Sequence, residues 1–498
     1  MNRREFLMMG SAAVAAATLP SGAKAKGNDD HGPERLRLGI LSDIHIQTPE
    51  CIRTRFLPEL EYFRDREVDG VLIAGDLCDW GWKEQLRWIA DAWKKTFPDG
   101  KLPNGNPVEQ LFIYGNHDIE GYRYGYPNWE PMMPDDWQVN AIGRDRNRAK
   151  FWEELFGEKW SPIMYKDVKG YKFVLANYGG WRTGHFAETV GLKEFLAEHD
   201  AELRGPKPFF YAQHLLLRDT GTAPWCRWVD NGVNTKTLSA YPNCVAVTGH
   251  THIGLADDHN LWRGAFTEIG AGSTWTQHCY GGRENSALPA GDSLSLAAET
   301  QMADMEIMGQ PGLVLHVYDD ALVFERYDFL SRGRIAHDLT VPWPPKPATD
   351  EELAAAAPVP QFPADAKVSV RGVRGRDRKG TPTDQVVVTF PSVGPASPRA
   401  FDYEVTAEAL CYGAQYGWRT KRVFSKGFQQ AAAADVMPVE CVFAVRELPP
   451  ASGPLSPEQG YRFRFVVSPV NSYGVKGRPI RSDWTAIEGI DMKGIKGK

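Results

Sequence analysis

Leu111-Phe112-Ile113-Tyr114-Gly115-Asn116-His117-Asp118 is an apolar, strand-forming run that breaks abruptly into polar chemistry. A short apolar run ended by a turn residue reads as a buried strand, which puts the polar residues at its carboxyl end. An asparagine amide oxygen is a neutral ligand for a metal and the adjacent imidazole donates a proton. The glycine lets the backbone turn so that both face one point. By itself the tetrapeptide reads more readily as a turn capped by Asn and Asp that holds a hydrogen-bonded histidine.

The same form recurs elsewhere in the chain. Asp43 and His45 follow Leu36 to Leu41, and Asp76 follows Val71 to Gly75. His214 follows Phe209 to Ala212, while His250 and His252 follow Val245 to Gly249. Oxygen and nitrogen ligands are therefore expected at strand carboxyl ends, where open α/β sheets place their sites. The ordered set Asp43-x-His45, Gly75-Asp76, Gly115-Asn116-His117-Asp118, His214 and Gly249-His250-x-His252 resembles the calcineurin-like metallophosphoesterase family. The likeness runs from about Leu38 to His252 and, more loosely, to Leu330.

That resemblance implies an α/β fold, a four-layer αββα sandwich, and a dinuclear centre of two divalent or mixed-valence ions. Asp76 would bridge them; Asp43, His45 and His252 would complete the first site, and Asn116, His214 and His250 the second. Mixed oxygen and imidazole ligands suit Mn, Fe or Zn alike. Two such ions lower the pKa of a shared water toward about 7, so that hydroxide attacks phosphorus in line. The family's counterpart of His117 contacts the phosphate or protonates the leaving oxygen. Asp118 would orient that imidazole or cap the following turn. Purple acid phosphatases have a tyrosine ligand where this chain has Asp79 and lack the histidine present here as His45, so that branch does not fit. Cys78, two residues past Asp76, is expected to pack rather than ligate.

A 498-residue chain exceeds one ordinary core, so two domains are expected. A formal charge of −6 speaks against a nucleic-acid partner or a polybasic membrane patch. Residues 1–25 read as an export signal. Arg3-Arg4-x-Phe6-Leu7 resembles the twin-arginine type, and Ala23-Lys24-Ala25 has the form of a cleavage site. The mature protein is then expected in the periplasm or secreted, without a membrane span. The seven cysteines show no Cys-x-x-Cys spacing, which removes zinc-knuckle and redox-motif readings.

Strand and helix alternate from Leu36 to Thr96, and the phosphoesterase domain is placed at 35–340. Tyr122 to Trp137 is irregular and aromatic, either a wall of the site or packing against the body. Arg144, Arg146 and Arg148 read as a solvated face. Ala265 to Ile269, Leu313 to Tyr318 and Leu322 to Tyr327 are expected to complete a second sheet. Of the histidines outside the motifs, His278, in the Gly/Ser-rich stretch between them, is the first candidate for a further role.

The proline- and alanine-rich segment 341–364 reads as a stiff, extended linker. Beyond it, short alternating segments over 365–486 predict a smaller all-β sandwich domain. Tyr461-x-Phe463-x-Phe465 with Asn471 and Gly474 resembles fibronectin type III modules. This region is expected to fold independently, so a chain ending near Trp343 should keep turnover.

Two functions compete at this level. One is an exported phosphoesterase acting on small phosphate esters, with diesters slightly favoured over monoesters. The other is a surface binding protein whose sandwich meets a glycan or protein while the metal site stays idle. The complete ligand set and an acid outside it, His117, favour the enzyme.

Overall fold

The computed structural model of the chain describes residues 31–124, 137–144, 146–180, 191–221, 230–279, 282–285, 308–376, 381–394, 397–411, 414–448 and 462–484. The expected export signal lies outside these residues.

Leu36–Leu41 (β1), Gly70–Ile73 (β2) and Glu109–Phe112 (β3) pair in parallel, β1 with β2 and β2 with β3. Their nearly continuous burial is what strands covered on both faces require. Helices Leu57–Asp65 (α1) and Lys83–Thr96 (α2) form the connections. In α2, Leu86, Ile89, Ala90 and Trp93 recur at helical spacing and are buried. Gln85 Oε1 accepts the N–H groups of Trp80 and Trp82, both at 3.2 Å, where the helix begins. After β3 a short helix, Asn116–Glu120 (α3), starts at once.

The second sheet opens with the antiparallel hairpin Ile163–Val168 (β4) and Tyr171–Ala176 (β5). Helix Leu192–Glu198 (α4), strand Phe209–Ala212 (β6), helix Val233–Leu238 (α5) and strand Cys244–Thr248 (β7) follow, then Leu261–Arg263 (β8) and Thr267–Gly270 (β9). The sheet order is β4-β5-β6-β7-β9-β8. Strands Pro311–Val317 (β10), Ala321–Asp328 (β11), Gly333–Arg334 (β12) and Leu339–Pro342 (β13) end the domain.

β10 and β11 were expected in the second sheet, and the structure corrects this. β10 pairs antiparallel with β1, Gly39 facing Val314, so both strands extend the first sheet and only β9 joins the second. Alternation along a strand fixes its faces, not its partner. The two sheets share one core: Leu38, Ile40, Phe112 and Leu315 lie in a single buried cluster with Leu175, Val245, Val247 and Ile269. Leu192, Leu196 and Leu238 cover the outer face of the second sheet over Tyr211 and Ala246. The result is a four-layer αββα sandwich.

The segment expected to be an extended linker begins on the last two residues of β13 and contains a helix, Asp350–Ala356 (α6). Thr349 Oγ1 accepts the Glu352 N–H and Glu352 returns a bond to Thr349 N, a capping box that outweighs the surrounding prolines. The all-β region has Ser369–Arg376 (β14), Pro382–Phe390 (β15), Asp402–Cys411 (β16), Ala414–Val423 (β17), Val439–Ala444 (β18), Arg462–Val470 (β19) and Ile480–Arg481 (β20). They form two antiparallel sheets, β14-β15-β18 and β17-β16-β19-β20, around Val386, Val405, Phe443 and Phe465.

This sandwich is not separate from the first domain. Phe401, Phe424 and Phe428 belong to the buried cluster of the αββα body, and Arg399 donates to the carbonyl oxygen of Ile335 at 3.1 Å. Asn285 exchanges two hydrogen bonds, each 3.0 Å, with the backbone of Phe424. Gly254 faces Gln429 so closely that a Cβ there would lie 1.8 Å from Oε1. Among the described residues, no helix is long and apolar enough to cross a membrane.

Candidate metal centre

β1, β2 and β3 end side by side in one sheet, and β6 and β7 do so in the other, so their carboxyl-end loops converge. Asp43, His45, Asp76, His250 and His252 all adopt left-handed backbone, with φ of 51°, 39°, 51°, 64° and 54°. That conformation is uncommon for residues other than glycine and clusters at functional sites. Neighbouring glycines leave the room it needs. A Cβ on Gly249 would lie 1.9 Å from Ser42 Oγ and 2.6 Å from Asp43 Oδ2, and one on Gly115 would lie 2.3 Å from Asp76 Oδ1.

Every expected ligand comes to this place. Asp43, His45 and His252 form one group and Asp76, His214 and His250 another, the ligand atoms of each group lying within 4.8 Å of one another. His252 Nε2 is 2.9 Å from Asp43 Oδ1, and His214 Nε2 is 2.9 Å from Asn116 Oδ1. Asp76 Oδ2 lies 3.6 Å from His45 Nε2 and 3.1 Å from His214 Nε2, one imidazole from each group. The other carboxylate oxygens are tied down: Asp43 Oδ2 accepts from Ser42 Oγ and His250 N, and Asp76 Oδ1 from His117 N.

The outer ring nitrogens are held as well. His45 Nδ1 donates to Asp79 Oδ1 at 2.9 Å, His214 Nδ1 to the Ala74 carbonyl at 2.7 Å, and His252 Nδ1 meets Thr276 Oγ1 at 2.9 Å. Such partners fix the tautomer and aim the second nitrogen inward. His45 Nε2 is buried 3.7 Å from Asp43 Oδ1 and 3.6 Å from Asp76 Oδ2, beyond hydrogen-bond reach of either. Buried polar atoms of this kind are costly unless something binds them, and an oxygen–imidazole set suits a divalent ion. The residues present therefore fit the ions that the motifs imply.

Burial works against charge on His45, yet the nearby Asp43 carboxylate and the hydrogen bond to Asp79 push its pKa up to about 10. His214 is likewise raised to about 9 by Asp76 and Asp43 in spite of burial. Burial and the neighbouring His214 depress His250 to about 3. At neutral pH, with no ion bound, His45 and His214 thus hold protons that metal ligation must expel. Uptake of two ions at pH 7 should release about two protons, and affinity should strengthen as pH rises and weaken as it falls. Titration calorimetry in buffers of different ionisation heat checks this; a proton count near zero would contradict it.

Asn116 and His117 begin α3 rather than lying extended, and the helical turn between them separates their side chains. His117 Nδ1 donates to the Asp79 carbonyl at 2.8 Å, and a ring nitrogen of His117 lies within 4.8 Å of ligand atoms of His45 and Asp76, a third group able to hold an ion. Its ring packs on His45 at 4.5 Å and on Tyr124 at 4.8 Å. Asp118 caps, accepting from Leu77, Cys78 and Gly115 N–H groups. Cys78 is buried, its thiol pushed well up by burial and Asp118.

Asp79 does the orienting considered for Asp118, since it holds both His45 and His117, and Gln47 donates to its Oδ2 at 2.9 Å. The sequence contained a signal for it in the Gly75-Asp76-x-x-Asp79 spacing. Trp275, packed at a tilt against His45 with ring centres 4.5 Å apart, gave none, because its Gly/Ser-rich stretch has no period. His278 lies buried against His252 at 5.0 Å, with Nδ1 bonded to the Thr251 carbonyl. Arg148 is half-buried and donates to the Gly179 carbonyl, which corrects its reading as part of a solvated face.

An αββα sandwich with buried Asp and His side chains gathered at strand carboxyl ends is the architecture of a metal-dependent hydrolase. The family model for calcineurin-like phosphoesterase matches residues 36–254, and this domain belongs to that family. Similar solved structures include a predicted phosphoesterase from Streptococcus pneumoniae, 11% identical, with a TM-score of 0.24 over 62% of this chain and 97% of the other. Vacuolar Protein Sorting 29 from Cryptosporidium parvum is 11% identical, with a TM-score of 0.27 and the same coverages of 62% and 97%. A hypothetical protein from Pyrococcus horikoshii is 11% identical, with a TM-score of 0.26 over 64% of this chain and 91% of its own. No curated protein matches the chain.

Proposed function

We propose that this protein is an exported, two-metal phosphoesterase that hydrolyses phosphodiesters in preference to monoesters, its catalytic domain spanning about 35–340. The observation that carries the reading is Asp76 Oδ2, set between an imidazole of each ligand group. Asp43, His45, Asp76 and His252 would hold one ion, and Asp76, Asn116, His214 and His250 the other. Bound there, the pair would activate water and neutralise phosphoryl charge.

The chain's own contribution is placement and a proton. Asp79 orients His45 and His117 together, so the acid keeps a fixed relation to the metal ligands. His117 Nε2 is the atom that would protonate the departing oxygen. Trp275 and Tyr124 line the stretch containing His45 and His117 and offer apolar surface to a diester's second substituent. Arg55 spends its guanidinium on the carbonyl oxygens of His45 and Thr274, where it braces two loops rather than clamping a second phosphate charge.

His117→Ala should keep metal but lose about 10² to 10⁴ in rate on alkyl diesters, with a far smaller loss on nitrophenyl diesters, whose leaving group needs no proton. The same assay on matched aryl diester and monoester gives the preference through kcat/KM. Equal losses on both leaving groups would remove the acid role, and a clear monoester preference would overturn the substrate class.

A further inference from the structure

Asn116 raises a problem that the aspartates do not. Its carboxamide has one oxygen, which can ligate, and one NH2, which cannot. The group must therefore be held facing one way. In the structure Oδ1 points at His214 Nε2, 2.9 Å away, and Nδ2 donates to the hydroxyl of Tyr124 at 3.0 Å. In this arrangement the hydroxyl accepts from the NH2 end, which leaves the oxygen toward the centre.

Tyr124 reaches this place because the chain reverses. α3 runs into a 3₁₀ turn, Gly121–Arg123, which brings residue 124 back beside residues 116 and 117. The turn is seated on the segment that orients the histidines: a Cβ on Gly121 would lie 2.6 Å from the Asp79 carbonyl oxygen and 2.8 Å from Trp80 Cα. The Tyr124 ring also packs, tilted, against His117 with ring centres 4.8 Å apart, so one side chain touches both a ligand and the acid.

We infer that Tyr124 is a positioning residue whose hydroxyl fixes the Asn116 carboxamide with its oxygen toward the second ion. The inference rests on the two-ion reading above. Partners of metal ligands typically contribute about 10- to 100-fold in metal affinity. Tyr124→Phe removes one oxygen and keeps the ring. Titration of the metal-stripped full-length protein with Mn²⁺ should show two ions per chain in the wild type. In Tyr124→Phe one site should weaken by about 10- to 100-fold while the other keeps its affinity and the metal-free melting temperature is unchanged.

A second arm separates orientation from packing. In Asn116→Asp both side-chain oxygens are equivalent and nothing must select between them. Adding Tyr124→Phe to that background should therefore cost less than about threefold, a non-additivity expected only of coupled residues. Unchanged affinity at both sites in Tyr124→Phe would overturn the inference, as would equal weakening of both sites or the same loss in both backgrounds. A wild-type protein that takes up fewer than two ions would instead sink the two-ion reading, and this inference with it.

Discussion

Asp76→Asn is expected to lower phosphoester hydrolysis by about 10⁴-fold or more, equivalent to ~5 kcal/mol of transition-state stabilisation. The substitution keeps the side chain's shape, and Oδ1 would still accept from His117 N, which is 2.8 Å away. What it removes is the charge on the oxygen that sits 3.6 Å from His45 Nε2 and 3.1 Å from His214 Nε2. Asp43 would remain the only carboxylate among the proposed ligands, so metal content should fall from two ions to one or none. Chelation of the wild type should reproduce the loss, and added Mn, Fe or Zn should restore it. Metal analysis with steady-state kinetics decides the matter. Activity within about tenfold of wild type at full metal content would remove the bridging role. Full turnover by metal-free protein would end the two-ion reading.

The second large effect concerns the all-β region. A chain ending at Trp343 is expected to lose its cooperative fold, contrary to what its proline-rich junction led us to expect. Phe424 is wholly buried, Phe428 stacks on it at 4.3 Å, and Phe401 meets both, all continuous with the buried cluster of the αββα domain. Arg283 adds a buried pair with Asp402 at 2.8 Å and lies over the Phe401 and Phe424 rings. Truncating one buried phenylalanine to alanine typically costs ~3–5 kcal/mol. Phe424→Ala alone should therefore consume a large share of a domain's usual stability of roughly 5–15 kcal/mol. Removing the whole region would strip all three rings at once. It would also take Gln429 away from the Gly254 backbone, two residues after His252. Urea denaturation of Phe424→Ala and circular dichroism of the truncated chain test this. A soluble, metal-loaded and fully active chain ending at Trp343 would show that the shared core is dispensable.

Much of the candidate centre was legible in the sequence, for a physical reason. Each ligand follows its own apolar run, and both the run and the polar break after it are local features, so Asp43, His45, Asp76, Asn116, His214, His250 and His252 could be assigned to strand ends before any strand was paired. The Asp and His chemistry of those breaks, together with the family resemblance, settled the αββα class. The buried faces of α2 and of the β4–β5 hairpin were equally local, being set by helical spacing and by the Lys169-Gly170 turn.

Tertiary structure alone decided the rest. Which sheet β10 and β11 join depends on the free edge of β1, which no alternation within those strands encodes. Asp79 acquires its role only when the β1 and β2 loops lie side by side and its carboxylate reaches His45. Tyr124 does so only when the turn after α3 folds back on Asn116. The phenylalanines of the all-β region look in sequence like any sandwich core, yet three of them join the buried cluster of the neighbouring domain. Apolar burial is non-directional, so a sequence reveals that such a residue will be covered but not which surface will cover it.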